Sequence, residues 1–328
     1  MRVLRRIAKK ILIKTGFYDK YCDYMYERSL KQRIIKDYDG GSASFWTSHM
    51  VTDNEFSSAE GSLEYFHWRN NQYPGYIDLM PVSGQNGKVV LDYGCGPGND
   101  LVGFTVFSSP AKLIGVDVST TALNASKHRL SLHCNIAEKN IYLHLIDESD
   151  NKIPVEDNTV DYVHSSGVLM SVANINFALK EIHRVLKVGG KMAAMVYNHD
   201  SIWSNLYVPW FLQTHLKIDT NLTFEEAFRR STDNSIRNEA APVSCCYRPD
   251  EFIKLVESVG FKGEFKGAAI SGFEVNLTRK YLDKAVSDKR LGEKYRIFLK
   301  SLEIDEKGIP YYKENVAGID ACYLFVKS

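Results

Sequence analysis

No apolar run in this 328-residue chain approaches the roughly 18 residues that a membrane-spanning helix needs. The opening residues also lack the uninterrupted apolar stretch of a secretory signal. No C-x-x-C pair occurs among the six cysteines, and Cys95 and Cys134 fall in segments that read as core, so neither a zinc site nor a disulfide framework is indicated. A reducing, cytoplasmic setting is the expectation. Charge of one sign is missing as well: 41 basic residues face 40 acidic ones, which leaves no overall field to draw in nucleic acid. There is no internal repeat and no low-complexity tract. What remains, 44% hydrophobic and 25% charged residues, is the composition of an ordinary globular protein with a sizeable core.

Local charge does occur at the start. In "MRVLRRIAKKILIKTG", Val3, Leu4, Ile7, Ala8 and Ile11 recur at helical spacing, opposite Arg2, Arg5, Arg6, Lys9 and Lys10. Residues 1–15 therefore read either as a helix for peripheral contact with an anionic membrane or as one packed on its own domain with a solvated charged face. A cleaved organellar presequence is a third reading. Residues 17–55 read as helix then loop. Ser57 and Glu60 form a capping-box pattern ahead of Leu63, Phe66, His67 and Asn70, and Pro74 and Gly75 break that helix. From residue 88 short apolar runs alternate with helical patterns, which predicts β-α-β units: an α/β, Rossmann-like, doubly wound, mostly parallel seven-stranded sheet. The division expected is an N-terminal basic helix and helical cap over 1–84, then one domain over 85–328 with an acceptor-lid insertion at about 199–248. The helix ending "RVLKVGG" is expected to stop on Gly189 and Gly190.

The informative stretch is "VVLDYGCGPGND", residues 89–100. A strand closing on Asp92 runs into Gly94, Gly96 and Gly98, and a helix follows. Such a turn carries almost no side chains, so a ligand can touch its backbone. The dinucleotide fingerprint is G-x-G-x-x-G with pyrophosphate on the helix N-terminus. Here the spacing is G-x-G-x-G, and a carboxylate two residues before the first glycine would repel pyrophosphate while suiting a cation. An NAD enzyme is disfavoured on that ground.

"LDYGCGPGND" resembles the first motif of class I S-adenosylmethionine-dependent methyltransferases, D-x-G-x-G-x-G. "LIGVDVS", "HLIDESDNKIPVEDNTVDYVHSSGVLMSV", "ALKEIHRVLKVGGKMAAMVY" and "YRPDEFIKLVESVGF" resemble the family's later segments in the right order, over about residues 85–275. The resemblance implies S-adenosyl-L-methionine as cofactor. It places the backbone of Gly94, Cys95 and Gly96 near the methionine part, Asp92 at the loop and the ammonium group, and Asp117 on the ribose hydroxyls. Val118 would lie on adenine, Asp147 or Glu148 at the adenine amino group, and Ser165 near the sulfonium. Arg69, in "EYFHWRNNQYPGY", would pair with the cofactor carboxylate.

Methyl transfer from a sulfonium is an in-line displacement, and a hydroxyl acceptor adds the need for a base. His67 and His199 are the candidates, each also readable as a packed or solvated histidine. Trp203, Tyr207 and Trp210 read as a sugar platform or, slightly better, as a packing face. The N-P-P-Y type motif of amino-group methylases is absent, "SSGVLM" standing in its place, and no basic cluster with interleaved aromatics runs beside the site, which marks down nucleic acid. No Asp/Asn set announces a metal. The expectation is O-methylation of a small molecule or glycan, including a lipid-linked surface polysaccharide as in the type 11-like bacterial subgroup this chain resembles. The alternatives are C- or N-methylation of a quinone or polyketide, and a cofactor-binding scaffold without catalysis.

Overall fold

The computed structural model describes residues 18–52, 54–137, 139–232 and 238–328; the basic segment at residues 1–15 lies outside them. The main sheet is built from β1 (Val89–Tyr93), β2 (Lys112–Asp117), β3 (Ile141–Leu145), β4 (Val160–Ser166), β5 (Leu186–Asn198), β6 (Phe261–Ala269) and β7 (Asp320–Lys327). Their order is β3-β2-β1-β4-β5-β7-β6, and the two-residue strand Cys246–Tyr247 pairs with β5 as an eighth. The first five strands run parallel, and β7 lies antiparallel between β5 and β6. Order reverses at β1, between β2 and β4, so the crevice of this fold opens beyond the carboxyl end of β1.

The helices are α1 (Tyr18–Gln32), α2 (Ser42–Ser48), α3 (Ala59–Asn71), α4 (Tyr76–Leu79), α5 (Asn99–Phe107), α6 (Thr120–Ser131), α7 (Ile175–Val185), α8 (Phe224–Ser231), α9 (Pro249–Glu257), α10 (Gly272–Ser287) and α11 (Glu293–Lys300). A wide helical segment of π type covers Trp203–Leu216. One face of the sheet buries Ile182 and Val185 of α7 with Phe252 and Val256 of α9, while the other buries Leu101, Val102 and Phe104 of α5 with Phe66 of α3. Burial on both faces explains why the central strands read as continuous apolar runs. Each fully buried Val, Leu or Phe there contributes about 1.5–3 kcal/mol.

Two expected boundaries move. Ser58, not Ser57, caps α3: its backbone is extended and its hydroxyl accepts the Gly61 N–H at 3.1 Å. The helix before β5 ends at Val185 rather than at the glycines, because Leu186 is already extended and pairs with Val160 of β4. Tertiary pairing outweighs the local cap signal there. Among the described residues no helix is long and apolar enough to cross a membrane.

Candidate active site

The glycine loop is held from below by the sheet. The Gly94 and Cys95 N–H groups both donate to the Val116 carbonyl, at 2.8 and 3.0 Å, which folds the chain back over the end of β2. Gly94 sits at φ 76°, and a Cβ there would strike the Val168 side chain. Gly96, at φ 51°, has nothing within 4 Å of where its Cβ would stand, because it faces an open cavity. Asp117 closes β2 and accepts the Gly96 N–H at 2.8 Å and the Ser119 N–H at 2.9 Å. Burial pushes its pKa up, and those backbone donors hold the shift in check.

The cavity runs from this loop past Asp117, Val118 and Ile146 to Ser166–Val168 and Ser171–Ala173 on the far side. Trp46 of α2 and Met50–Thr52 after it form a further wall, and Arg69 of α3 enters beside Asp100. The opening turn of α5 is pinned by a buried arginine: Arg129 of α6 donates to the Ser62 carbonyl of α3 at 2.8 Å and to the Asn99 side-chain oxygen at 3.2 Å. Helix α3 is thereby tied to the helix that follows the glycine loop.

A charged cluster lies under the loop. Asp92 of β1 is the register partner of His164 of β4. Asp92 is 2% exposed, and its Oδ2 has no hydrogen-bond partner. His164 Nε2 stands 3.4 Å from Oδ2 of Asp100, whose Oδ1 takes Arg69 Nη1 and Asn99 Nδ2, each at 3.2 Å. Burial pushes the Asp92 carboxyl up to about 7; His164 opposes the shift, and Asp100 and Asp117 add to it. For Asp100 burial works in the same direction, but Arg69 and His164 more than offset it and hold the carboxyl well below the usual range.

Of the residues expected from sequence, Arg69, Gly94, Cys95, Gly96, Asp117, Val118 and Glu148 line this one cavity, with Asp92 just beneath. Asp147 does not reach it. It lies in the turn after β3, where it faces outward and accepts the Ser149 N–H at 2.8 Å, whereas Ile146 and Glu148 on either side face in. The Glu148 carboxylate accepts the Ala43 N–H at 2.8 Å, at the start of α2. Ser165 is fully buried on the opposite side of β4, since strand side chains alternate, and Ser166 takes the cavity position.

Neither histidine candidate is at the cavity. His67 is exposed beside Phe66 and Phe107, because two residues along a helix is about 200° of rotation from Arg69. His199 sits 3.4 Å from both Asp200 and Arg248 with its ring edge on Phe224, after β5. Trp203, Tyr207 and Trp210 pack in a separate apolar cluster. The groups not foreseen are Asp100, His164, Asn99, Asn151 and Trp46. Asp100 alone had a visible signal, as a second acidic residue directly after the glycines in "GPGND".

S-adenosylmethionine fits these residues. It is a cation with an amino-acid end, and the site offers a glycine cradle open at Gly96 and an ion pair, Arg69 with Asp100, on the wall, with the buried Asp92 carboxylate beneath the loop. Three carboxylates around the loop would repel a pyrophosphate. Among the described residues no cluster of three His, Cys, Asp or Glu side chains could hold a metal ion.

Residues 85–236 match a family model described as a methyltransferase domain. The demethylmenaquinone methyltransferase of Symbiobacterium thermophilum is 34% identical over 171 residues, covering 52% of this chain and 58% of that protein. An uncharacterised methyltransferase of Schizosaccharomyces pombe is 34% identical over 111 residues, 31% of this chain and 37% of that one. A SAM-dependent methyltransferase structure from Aquifex aeolicus aligns at TM-score 0.42 and 18% identity, over 67% of this chain and 95% of its own. This chain spans 35%, 37% and 60% of the first three curated relatives it matches. The family model covers a little under half of the chain, and the glycine loop and strand order of residues 85–236 agree with its description as a methyltransferase domain.

Proposed function

We propose that the whole chain is an S-adenosylmethionine-dependent methyltransferase acting on a small acceptor held between the glycine loop and residues 42–52. The observation that carries this reading is that Gly94–Gly96, Asp117, Arg69 and Trp46 line one and the same cavity. Bound there, S-adenosylmethionine would supply an electrophilic methyl group. The chain's own residues supply orientation and dryness. Asp117 takes the ribose hydroxyls on its remaining lone pairs. Val118 and Ile146 would give adenine an apolar face, and Glu148 would serve its amino group. The Arg69–Asp100 pair matches a zwitterion, guanidinium to carboxylate and carboxylate to ammonium.

The first acceptor class is the hydroxyl of a small molecule or glycan, lipid-linked surface polysaccharide included. A second reading has a specific observation behind it. Among the described residues no histidine lines the cavity, and Trp46, Met50, Val51, Val168 and Val172 give it a largely apolar wall. That suits an acceptor that ionises by itself, such as a phenol, enol or quinol, methylated on oxygen or carbon without a protein base. The demethylmenaquinone methyltransferases among the relatives support the same class.

Calorimetric titration with S-adenosylmethionine, S-adenosylhomocysteine and NAD tests the first step. Binding of the sulfonium and its demethylated thioether without NAD is expected; NAD binding alone would sink the proposal. Transfer of a labelled methyl group to glycans against dihydroxyaromatics then separates the two acceptor classes. Cofactor binding with no transfer to any acceptor would favour a scaffold.

A further inference from the structure

Helix α1 sorts its side chains by charge. Asp23 and Glu27, one turn apart, face the body of the protein: Lys280 Nζ donates to Asp23 at 2.5 Å, and the Tyr281 hydroxyl donates to Glu27 at 3.0 Å. Tyr26 and Leu30 point the same way, Tyr26 stacking on Phe211 and Leu30 packing on the apolar cluster behind it. At 100° per residue, Lys20, Tyr21, Tyr24, Met25, Arg28 and Lys31 then share one outward arc of about 140°. All six are exposed, Tyr24 by 58% and Tyr21 by 47%. Two of its three acids, Asp23 and Glu27, are paired inward while Asp19 stays exposed in the first turn, and the outward arc itself carries cations and large apolar groups and no acid. An unoccupied surface would gain nothing from exposing them, since contiguous exposed apolar groups mark contact sites.

We propose that this outward face of α1 is a docking surface for an anionic lipid bilayer. Lysine and arginine reach headgroup phosphates, and tyrosine and methionine enter the boundary between headgroups and acyl chains. Charge complementarity selects an anionic surface, and the sequence just before α1 selects lipid over nucleic acid. Residues 1–16, outside the described residues, interleave Val3, Leu4, Ile7 and Ile11 with Arg and Lys, and apolar side chains have no use against a phosphate backbone. The proposal is independent of the methyl acceptor.

The test is flotation of the full chain with vesicles of phosphatidylcholine alone and with about 30 mol% phosphatidylglycerol. The protein should float with the anionic vesicles only, and less at high salt. Each cation near such a surface is worth about a fivefold change in partitioning. The triple variant Lys20→Gln/Arg28→Gln/Lys31→Gln should therefore lose at least about tenfold, and Tyr21→Ser/Tyr24→Ser/Met25→Ser a similar amount, both with unaltered S-adenosylmethionine affinity as the check on folding. Full partitioning by both variants would overturn the proposal and leave contact, if any, to residues 1–16. A dimer in lipid-free sedimentation that the Tyr/Met variant dissolves would overturn it too, by making this face a contact between copies. So would binding to a single-stranded oligonucleotide tighter than to the vesicles.

Discussion

Two interiors of this molecule are built on opposite principles. Under the glycine loop, Asp92, Asp100, His164 and Arg129 are all buried within the first β-α-β units, where each charge costs solvation energy unless a partner restores it. Around the segment Trp203–Leu216, by contrast, the interior is mainly aromatic and aliphatic: Tyr207, Trp210, Phe211, Phe228, Leu277 and Leu299 meet there, Trp210 donates to Asp288 at 3.1 Å, and a buried acid beside them, Glu274, accepts the Ser271 N–H and hydroxyl at the start of α10. The second region needs no function to explain it, because burial of apolar area stabilises it outright. The first does. The Asp92 oxygen, without a hydrogen-bond partner among the described residues, is a group a cationic ligand could satisfy.

The contrast makes its largest prediction in the apolar region. Phe228, 1% exposed, should cost about 3–5 kcal/mol of stability on replacement by alanine, through lost burial and a cavity. S-adenosylmethionine affinity of the molecules still folded should stay within about twofold. A tenfold loss would mean that the two interiors are coupled.

The mirror experiment is Asp117→Ala. It removes two backbone hydrogen bonds in the loop and the proposed ribose contacts, so cofactor affinity should fall about 100-fold, as expected for charge-assisted bonds. The thermal midpoint should drop less than for Phe228→Ala. Wild-type affinity in that variant would remove Asp117 from the cofactor site.

A smaller effect, with a distinct signature, belongs to Asp92. Its carboxyl is pushed up to about 7, chiefly by burial, and a cationic ligand favours its ionised form. Binding below that value must therefore expel a proton. Affinity should weaken as pH falls through about 7, by up to tenfold per unit, and calorimetry in buffers of different ionisation heat should register the released proton. Asp92→Asn should flatten the profile; a wild-type profile already flat between pH 5.5 and 8 would place the titration elsewhere.

Sequence reading reached the charged region better than its surroundings, for a physical reason. A loop that must approach a ligand is restricted to glycine, and a carboxylate at a strand end is a fixed step away from it, so Asp92, Gly94, Gly96 and Asp117 are visible as spacing. Asp100 and His164 are not, because their meeting depends on β4 lying beside β1, a pairing across about 70 residues. Asp147 and Ser165 were each one position from the residue that faces the cavity, Glu148 or Ser166. A one-residue shift in a strand or turn exchanges inside for outside without altering composition.

The histidines give the smallest prediction and the sharpest use of the comparison. His67 stands on the far side of α3 from Arg69, and His199 is engaged with Asp200, Arg248 and Phe224. Neither belongs to the charged region. His67→Ala and His199→Gln should each leave methyl transfer within about twofold of wild type once an acceptor is in hand, since removal of a general base costs about 100-fold or more. If one of them did lose that much while keeping cofactor affinity, a domain movement would have to bring its ring to the cavity, and a hydroxyl acceptor needing a base would displace the self-ionising one. If both stay active, the rate should instead follow the acidity of the acceptor across a series of substituted phenols, because the proton then leaves without help from the protein.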